Sequence, residues 1–327
     1  MTKDIARDAV LKKSEDVKGV EIRGYDFSKQ FNLDEFIKAY GSTGFQASNL
    51  AKAIEIIKKM RKNKATIFLA YTSNMVTSGV REVIAFLTKN RFVDILVTTG
   101  GGVEEDIIKC YKPFILGRFE ADGAELRRKG INRTGNIFIP NDRYIQFEKI
   151  MNRFFKKLLE RQKKEERVFT ISELVHELGK EVSDENSIYY WASKNNIPVF
   201  CPTLTDGSIG DMLYFFRKDN PEFKVDIAKD IVNLNDMALN AEKSGVIILG
   251  SGPIKHHVSN ANLFRDGSDY AVYINSVLEF DGSDSGARPE EAVSWGKIKP
   301  DADRIKVYGD ATIIFPLIVA SVFGKQG

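Results

Sequence analysis

Two cysteines, Cys110 and Cys201, are all that 327 residues carry, and neither sits in a CxxC or histidine-flanked setting. That scarcity excludes a disulfide-held scaffold, a cysteine zinc site and dithiol redox chemistry, so no metal is expected and both thiols should pack as small hydrophobes. Long apolar runs are missing too. The longest, ATIIFPLIVASVF from Ala311 to Phe323, is shorter than the roughly 20 residues that span a bilayer and contains Pro316, so it reads as a buried helix. The opening segment MTKDIARDAVLKKSED interrupts its apolar residues with charge every few positions, unlike the h-region of a secretory signal, and a cytoplasmic protein without a membrane partner is expected. Neither charge sign dominates: 48 basic against 45 acidic side chains leave +3, too little to indicate a nucleic-acid surface. Internal repeats, low-complexity tracts and the GxGxxG dinucleotide fingerprint are all lacking.

What is present is ordinary globular composition, 43% hydrophobic and 28% charged, in a chain long enough for one large α/β domain or two smaller ones. Short β-branched or aromatic runs recur, and several end in glycine, serine or threonine before passing into helix-period sequence. They are Ala65–Tyr71, Val93–Thr99 and the runs opening at Ile197, Gly245, Asp269 and Ile305. This alternation predicts an α/β fold: a doubly wound, mostly parallel sheet with helices on both faces, forming a single domain over 21–327. From Tyr144 to Leu159, apolar residues at helical spacing predict a long helix, and Thr170 with Glu173 has capping-box spacing at the start of another. Residues 1–20 form a separate charged, helix-compatible segment.

In open α/β sheets ligands sit beyond the carboxyl ends of the strands, which directs attention to the loops after these runs. TTGGGVEED and GSGPIKHH could bring backbone amides to a phosphate at a helix N-terminus, although a glycine loop after a strand also serves simply as a turn. Further on, DGSDSGARPEEAVSWGKI sets Asp281, Asp284, Glu290 and Glu291 against Arg288 just before Trp295 and Lys297. By charge alone this is a solvated loop. The tryptophan beside a lone lysine adds a second reading, because an indole wall desolvates an amine and holds an alkyl cation against its face, and such a lysine can form a Schiff base.

At these residues the chain resembles the deoxyhypusine synthase family over nearly its whole length, in a short, archaeal-like form. The matching stretches include RGYDF, TGFQAS, TIFLAYTSN, TTGGGVEED, GINRTGN, YYWA, TDGSIGDM, KHHVSNANL, DYAVYIN, EFDGSDSGARPEEAVSWGKI and VYGDAT. The resemblance implies a transferase that uses NAD to move the aminobutyl group of spermidine onto one lysine of the translation initiation factor 5A precursor. It passes through an enzyme-lysine imine and releases 1,3-diaminopropane. It implies Lys297 as the nucleophile and His256 beside the carbon being oxidised. For spermidine it implies Glu105, Asp211, Asp284 and Glu291 at the amines, with Trp295 along the methylenes and Asn260 nearby. For NAD it implies Thr72, Ser73, Asn74, Thr77, Thr99, Gly100, Gly101, Glu104, Asp206, Gly250, Ser276, Asp281, Gly282, Ser283, Ser285, Asp310 and Ala311. It further implies a homotetramer with active sites shared across dimer interfaces, and residues 1–20 acting as a lid over a neighbouring subunit's site.

Three positions depart from the family pattern: Gly100 stands for alanine, Thr77 for serine and Ser276 for threonine. All three keep backbone or hydroxyl function, so they bear on affinity more than on activity. Two rival readings share much of the pattern. A homospermidine synthase-like enzyme would pass the same imine to putrescine, and a non-catalytic regulatory paralogue would be expected to lose the lysine or its neighbours, which are present.

Overall fold

The computed structural model describes residues 2–324. Strand formation follows the β-branched runs in β1 (Thr66–Tyr71), β2 (Ile95–Val97), β3 (Val199–Phe200), β4 (Ser244–Leu249) and β5 (Ser268–Asn275), whereas β6 (Ile298–Tyr308) starts well before its run at Ile305, in polar sequence paired to β5 on one side only. All six pair in parallel in one sheet, in the order β6-β5-β4-β1-β2-β3. This is a doubly wound order whose direction reverses between β1 and β4, where a crevice opens at the carboxyl edge.

Side-chain alternation along the strands divides the interior into two layers. Ile67, Leu69 and Tyr71 of β1, Ile247 and Leu249 of β4, and Val272 and Ile274 of β5 enter the larger core, with helices Phe45–Lys62, Asp142–Glu165 and Ala311–Phe323 among its walls. Phe68 and Ala70, Val246 and Ile248, and Ala271 and Tyr273 point the other way, under helices Ala228–Leu239, Pro253–Leu263 and Pro289–Ser294. The chain thus has helices on both faces, as the strand–helix alternation predicts.

The long helix spans Asp142–Glu165 and buries Phe147, Ile150, Met151, Phe154 and Phe155. Thr170 and Glu173 form a complete capping box at the head of helix Ile171–Lys180. The apolar run from Ala311 is a helix containing Pro316, and among the described residues no helix is long and apolar enough to cross a membrane. Cys201 is buried and Cys110 half-buried, both as free thiols. Not foreseen is a small antiparallel sheet of Ile115–Leu116, Ile131–Thr134 and Ile137–Pro140. Its strands are short and partly exposed, so they lack the continuous apolar runs that identify the central strands. Every residue from Thr2 to Gly24, including helix Thr2–Val10, is exposed.

Candidate functional site

The carboxyl edge of the sheet gathers most of the expected residues. At the β1/β4 reversal a cleft of about 400 Å³ is lined by Thr72, Asn74, Gly250, Ser276, Asp310 and Ala311, together with Ser251 and Asn275. Gly250 adopts φ +90°, and a Cβ there would run into Thr72. Glycine therefore lets the loops after β1 and β4 close on each other. Asp310 caps helix Ala311–Phe323 by accepting from Thr312 N at 2.8 Å.

Next to this cleft, the glycines of TTGGG form the first turn of helix Gly100–Lys109 rather than a loop before it. Each fits a close neighbour: a Cβ on Gly101 would lie 2.9 Å from Ser73 Cβ, and one on Gly100 would lie 2.8 Å from both Asp206 Oδ1 and Leu204 O. The substitution that departs from the family pattern thus sits against the turn carrying Asp206. Thr99 Oγ1 is buried and has no hydrogen-bond partner among the described residues. A cleft framed by glycines at close backbone approach, with an unpartnered hydroxyl at its side and helix N-termini facing it, suits a phosphate-bearing nucleotide.

The same helix carries Glu104 and Glu105, both buried. Glu104 accepts from Ile209 N at 2.8 Å, and burial raises its pKa, aided by Asp206 and Asp211 nearby. Glu105 accepts from Thr77 Oγ1, and burial pushes it up to about 7 against the lowering effect of that hydrogen bond. The loop and helix after β3 complete this acidic group with Asp206 and Asp211, both exposed.

A second group lies under helix Pro253–Leu263. His256 Nδ1 is 3.7 Å from Asp284 Oδ1, and its Nε2 is 2.9 Å from Asn260 Nδ2. A cavity of about 30 Å³ behind them is lined by Lys255, Ser259, Asp284, Glu291, Trp295 and Lys297, among others. The position of Lys297 differs from the expectation that chemistry sits on loops after strands, because it enters β6 and its carbonyl accepts from Ser268 N at the start of β5. Helix termination explains it. Helix Pro289–Ser294 ends at Trp295, Gly296 takes φ +72°, Gly296 N donates to Val293 O at 2.9 Å, and Lys297 N donates to Ala292 O at 2.9 Å. This Schellman turn is what WGK encodes, and it folds the lysine back against its own helix. Lys297 is buried, its Nζ 5.6 Å from the Trp295 ring centre, while the indole is 65% exposed and so forms a wall open to solvent.

Asp281, Gly282, Ser283 and Ser285 lie on the loop between β5 and helix Pro289–Ser294, where Asp281 accepts from Ser283 N at 2.9 Å. Ser285 approaches Gly252 of the loop after β4.

Sequence reasoning did not single out Lys255, which is buried, has its pKa lowered by burial, and donates to the carbonyls of Asp284 and, at 3.0 Å, Ala287. It ties the acidic loop to the helix bearing His256. The available signal was its i,i+4 spacing from Ser259, which puts both on one helical face.

A family model described as deoxyhypusine synthase matches residues 35–322. The chain is 54% identical over 328 residues to a probable deoxyhypusine synthase of Methanocaldococcus jannaschii, covering 96% of this chain and 99% of that one. It is 48% identical over 352 residues to the deoxyhypusine synthase of Caenorhabditis elegans, covering 98% and 95%. A solved structure from Entamoeba histolytica, assigned as a deoxyhypusine synthase, superposes with TM-score 0.67 at 31% identity over 93% of this chain and all of that one.

Proposed function

The chain belongs to the deoxyhypusine synthase family, a family of transferases, and from that premise we propose that it moves the aminobutyl group of spermidine onto one lysine of the translation initiation factor 5A precursor. The observation that carries this reading is Lys297, a buried amine placed by a helix-capping turn beside an indole face, in a cavity that Asp284 and Glu291 also line. Few settings suit an imine-forming lysine better.

Spermidine is a flexible polycation, and drawing it out of water requires carboxylates at its amines and an apolar wall along its methylenes. Asp284 and Glu291 stand with Trp295 at the Lys297 pocket, while Glu104, Glu105 and Asp211 form the other acidic group. In a homotetramer with shared sites, a neighbouring subunit supplies the complementary group. His256 takes the proton from the reacting amine, oriented by Asn260 on one side and Asp284 on the other. Lys297 then attacks the substrate imine, 1,3-diaminopropane leaves, and the aminobutyl group remains on the enzyme until the acceptor lysine displaces it.

For NAD we propose the β1/β4 cleft, with Thr72, Ser73, Asn74, Thr77, Gly250, Ser276, Asp310 and Ala311 around it, Thr99, Gly100, Gly101, Glu104 and Asp206 beside it, and Asp281, Gly282, Ser283 and Ser285 on the covering loop. When bound, NAD supplies the hydride acceptor and donor of the cycle. Residues 1–20 serve as a lid: their exposed Ile5, Val10 and Leu11 dock on a neighbouring subunit and shield a hydrolysable imine from water. The enzyme acts in the cytoplasm.

The test is mass spectrometry of a factor 5A precursor incubated with the protein, spermidine and NAD. A single lysine gaining one aminobutyl group is expected. Transfer to putrescine, offered separately, with no mark on the protein acceptor would refute the reading.

A further inference from the structure

The loop between β5 and helix Pro289–Ser294 carries residues proposed for both ligands, yet its two limbs are scarcely joined to each other. Among the described residues no backbone hydrogen bond links 276–279 to 284–288. The loop's own backbone bonds close only small turns, from Gly282 N to Glu279 O at 3.2 Å, from Gly286 N to Ser283 O at 3.2 Å and from Ala287 N to Asp284 O at 3.3 Å. What spans the neck is the side chain of Lys306, on β6, which donates to Val277 O on one limb and to Gly286 O on the other, both at 2.7 Å. The limbs approach closely there: a Cβ on Gly286 would lie 1.6 Å from Leu278 O, so only glycine lets the backbones meet. An Arg288–Glu279 ion pair also crosses the loop, but its guanidinium is exposed, and exposed pairs contribute little. Lys255 grips one limb alone, at the carbonyls of Asp284 and Ala287.

We infer that Lys306 is a positioning residue: it clasps the neck of loop 277–287 and so holds Asp281, Ser283 and Ser285, on the proposed NAD side, in register with Asp284, on the proposed spermidine side. An ammonium donating to two carbonyls makes charge-assisted bonds, stronger than those between neutral groups. Burial lowers the Lys306 pKa, with Glu279 opposing and Arg288 adding to the effect, as befits an amine that has exchanged water for these carbonyls. At the neck Gly286 and Ala287 are buried, whereas 280–283 at the tip are exposed. The tip's placement therefore depends on the neck more than on packing. β6 itself does not depend on the clasp, because Val307 is buried in the core and Ile305 packs against it. Loss of the ammonium should open the loop and leave the sheet standing. Asp284 Oδ1 lies 3.7 Å from His256 Nδ1, and an opened loop carries that carboxylate away from the imidazole as it carries the serines away from the cofactor.

The inference rests on the functional reading above for what the loop holds, while hydrogen exchange of the loop tests the clasp without any ligand. The experiments use the full chain. Lys306→Met keeps the side-chain length and removes the donors, and Lys306→Arg keeps charge and donors. In Lys306→Met, peptide 277–287 should exchange faster by at least about tenfold, with helix Ala311–Phe323 unchanged. NAD affinity, read by calorimetry, should fall and the spermidine KM for cleavage rise, each by about tenfold, and Lys306→Arg should recover most of both. Combined with Ser283→Ala on the loop, the loss of NAD affinity should be less than the sum of the single losses, whereas with Asn74→Ala, off the loop, the losses should add. Gly286→Ala, which leaves the ammonium but wedges the limbs apart, should reproduce the joint loss and replaces Lys306→Met if that variant fails to fold. Unaltered exchange of 277–287 in folded Lys306→Met, additive losses with Ser283→Ala, or weaker NAD binding at an unchanged spermidine KM would each overturn the inference. Failure of the unmodified protein to bind NAD or cleave spermidine would instead overturn the functional reading, and the exchange result would still decide the clasp.

Discussion

Glu105 and Asp106 are neighbours on one helix, both buried, yet they face opposite fates. Asp106 points into the protein, where Arg81 Nε donates to it at 2.7 Å, Ser187 Oγ at 2.5 Å and Ile188 N at 3.1 Å, and Asp184 holds the far side of the guanidinium at 3.0 Å. Its charge is answered within the fold. Glu105 points to the acidic group and receives the Thr77 hydroxyl; Lys109, one turn further along the helix, exerts only a lesser pull through space. Burial raises Glu105 to about 7, so near neutral pH it is poised between charged and neutral forms. Burial therefore does not by itself distinguish a structural charge from a functional one. The distinction lies in whether the chain supplies the counter-charge or leaves it to a ligand, and the polyamine proposed above would bring its own.

Four substitutions sharpen or break this contrast. The largest effect belongs to the self-paired side: Asp106→Asn leaves Arg81 buried with its main partner neutralised, which should cost about 3–5 kcal/mol in thermal or urea unfolding. A loss below about 1 kcal/mol would place Asp106 with ordinary surface pairs. Glu105→Gln should do the opposite. Because the folded protein holds the Glu105 proton more tightly than the unfolded chain does, ionising it destabilises the fold as pH rises from the ordinary carboxylate range through about 7. The glutamine variant avoids that loss, so its stability advantage should grow with pH and level off above 8 at about 3 kcal/mol, while spermidine binding weakens. An advantage independent of pH would mean that Glu105 is paired after all.

Gly296→Ala comes next. Forcing a Cβ into φ +72° should cost about 1–2 kcal/mol and swing Lys297 out of its turn, lowering kcat for aminobutyl transfer while NAD affinity stays put. Equal kcat in the variant would show that Trp295 alone places the lysine. Smallest is Gly100→Ala, which presses on the Leu204–Asp206 turn and should weaken NAD binding only a few-fold, since the family pattern carries alanine there and the turn can shift. A larger loss, read by calorimetry, would mean that this chain has packed its turn around glycine irreversibly.

Much of this was legible in the chain itself. Five apolar runs marked strands of the parallel sheet, because a strand buried on both faces is continuously hydrophobic, whereas the run at Ile305 marked only the end of β6, whose stretch after Ile298 is polar and partly exposed; the capping box of Thr170 announced its helix. The matched motifs drew attention to Lys297, His256, Trp295 and the acidic residues, which the fold gathers into two groups. Other features escaped because they depend on partners far apart in sequence. Arg81 meets Asp184 across 103 positions, and Lys255 meets Ala287 across 32, and no local pattern marks either.

The sequence by itself determined which segments form strands and helices, that WGK ends a helix with glycine in the left-handed region, and which residue types are available for imine chemistry. Each of these is set by local sterics, hydrophobic period or side-chain chemistry. Only the tertiary structure decided that Lys297 lies where a chain enters its strand rather than leaves it, that Glu105 has no ion-pair partner among the described residues one position from a fully paired Asp106, and that Lys255 is drawn to the acidic loop. Those outcomes follow from how the β1/β4 reversal and the helices over the sheet bring distant side chains into contact, which spacing along the chain does not encode.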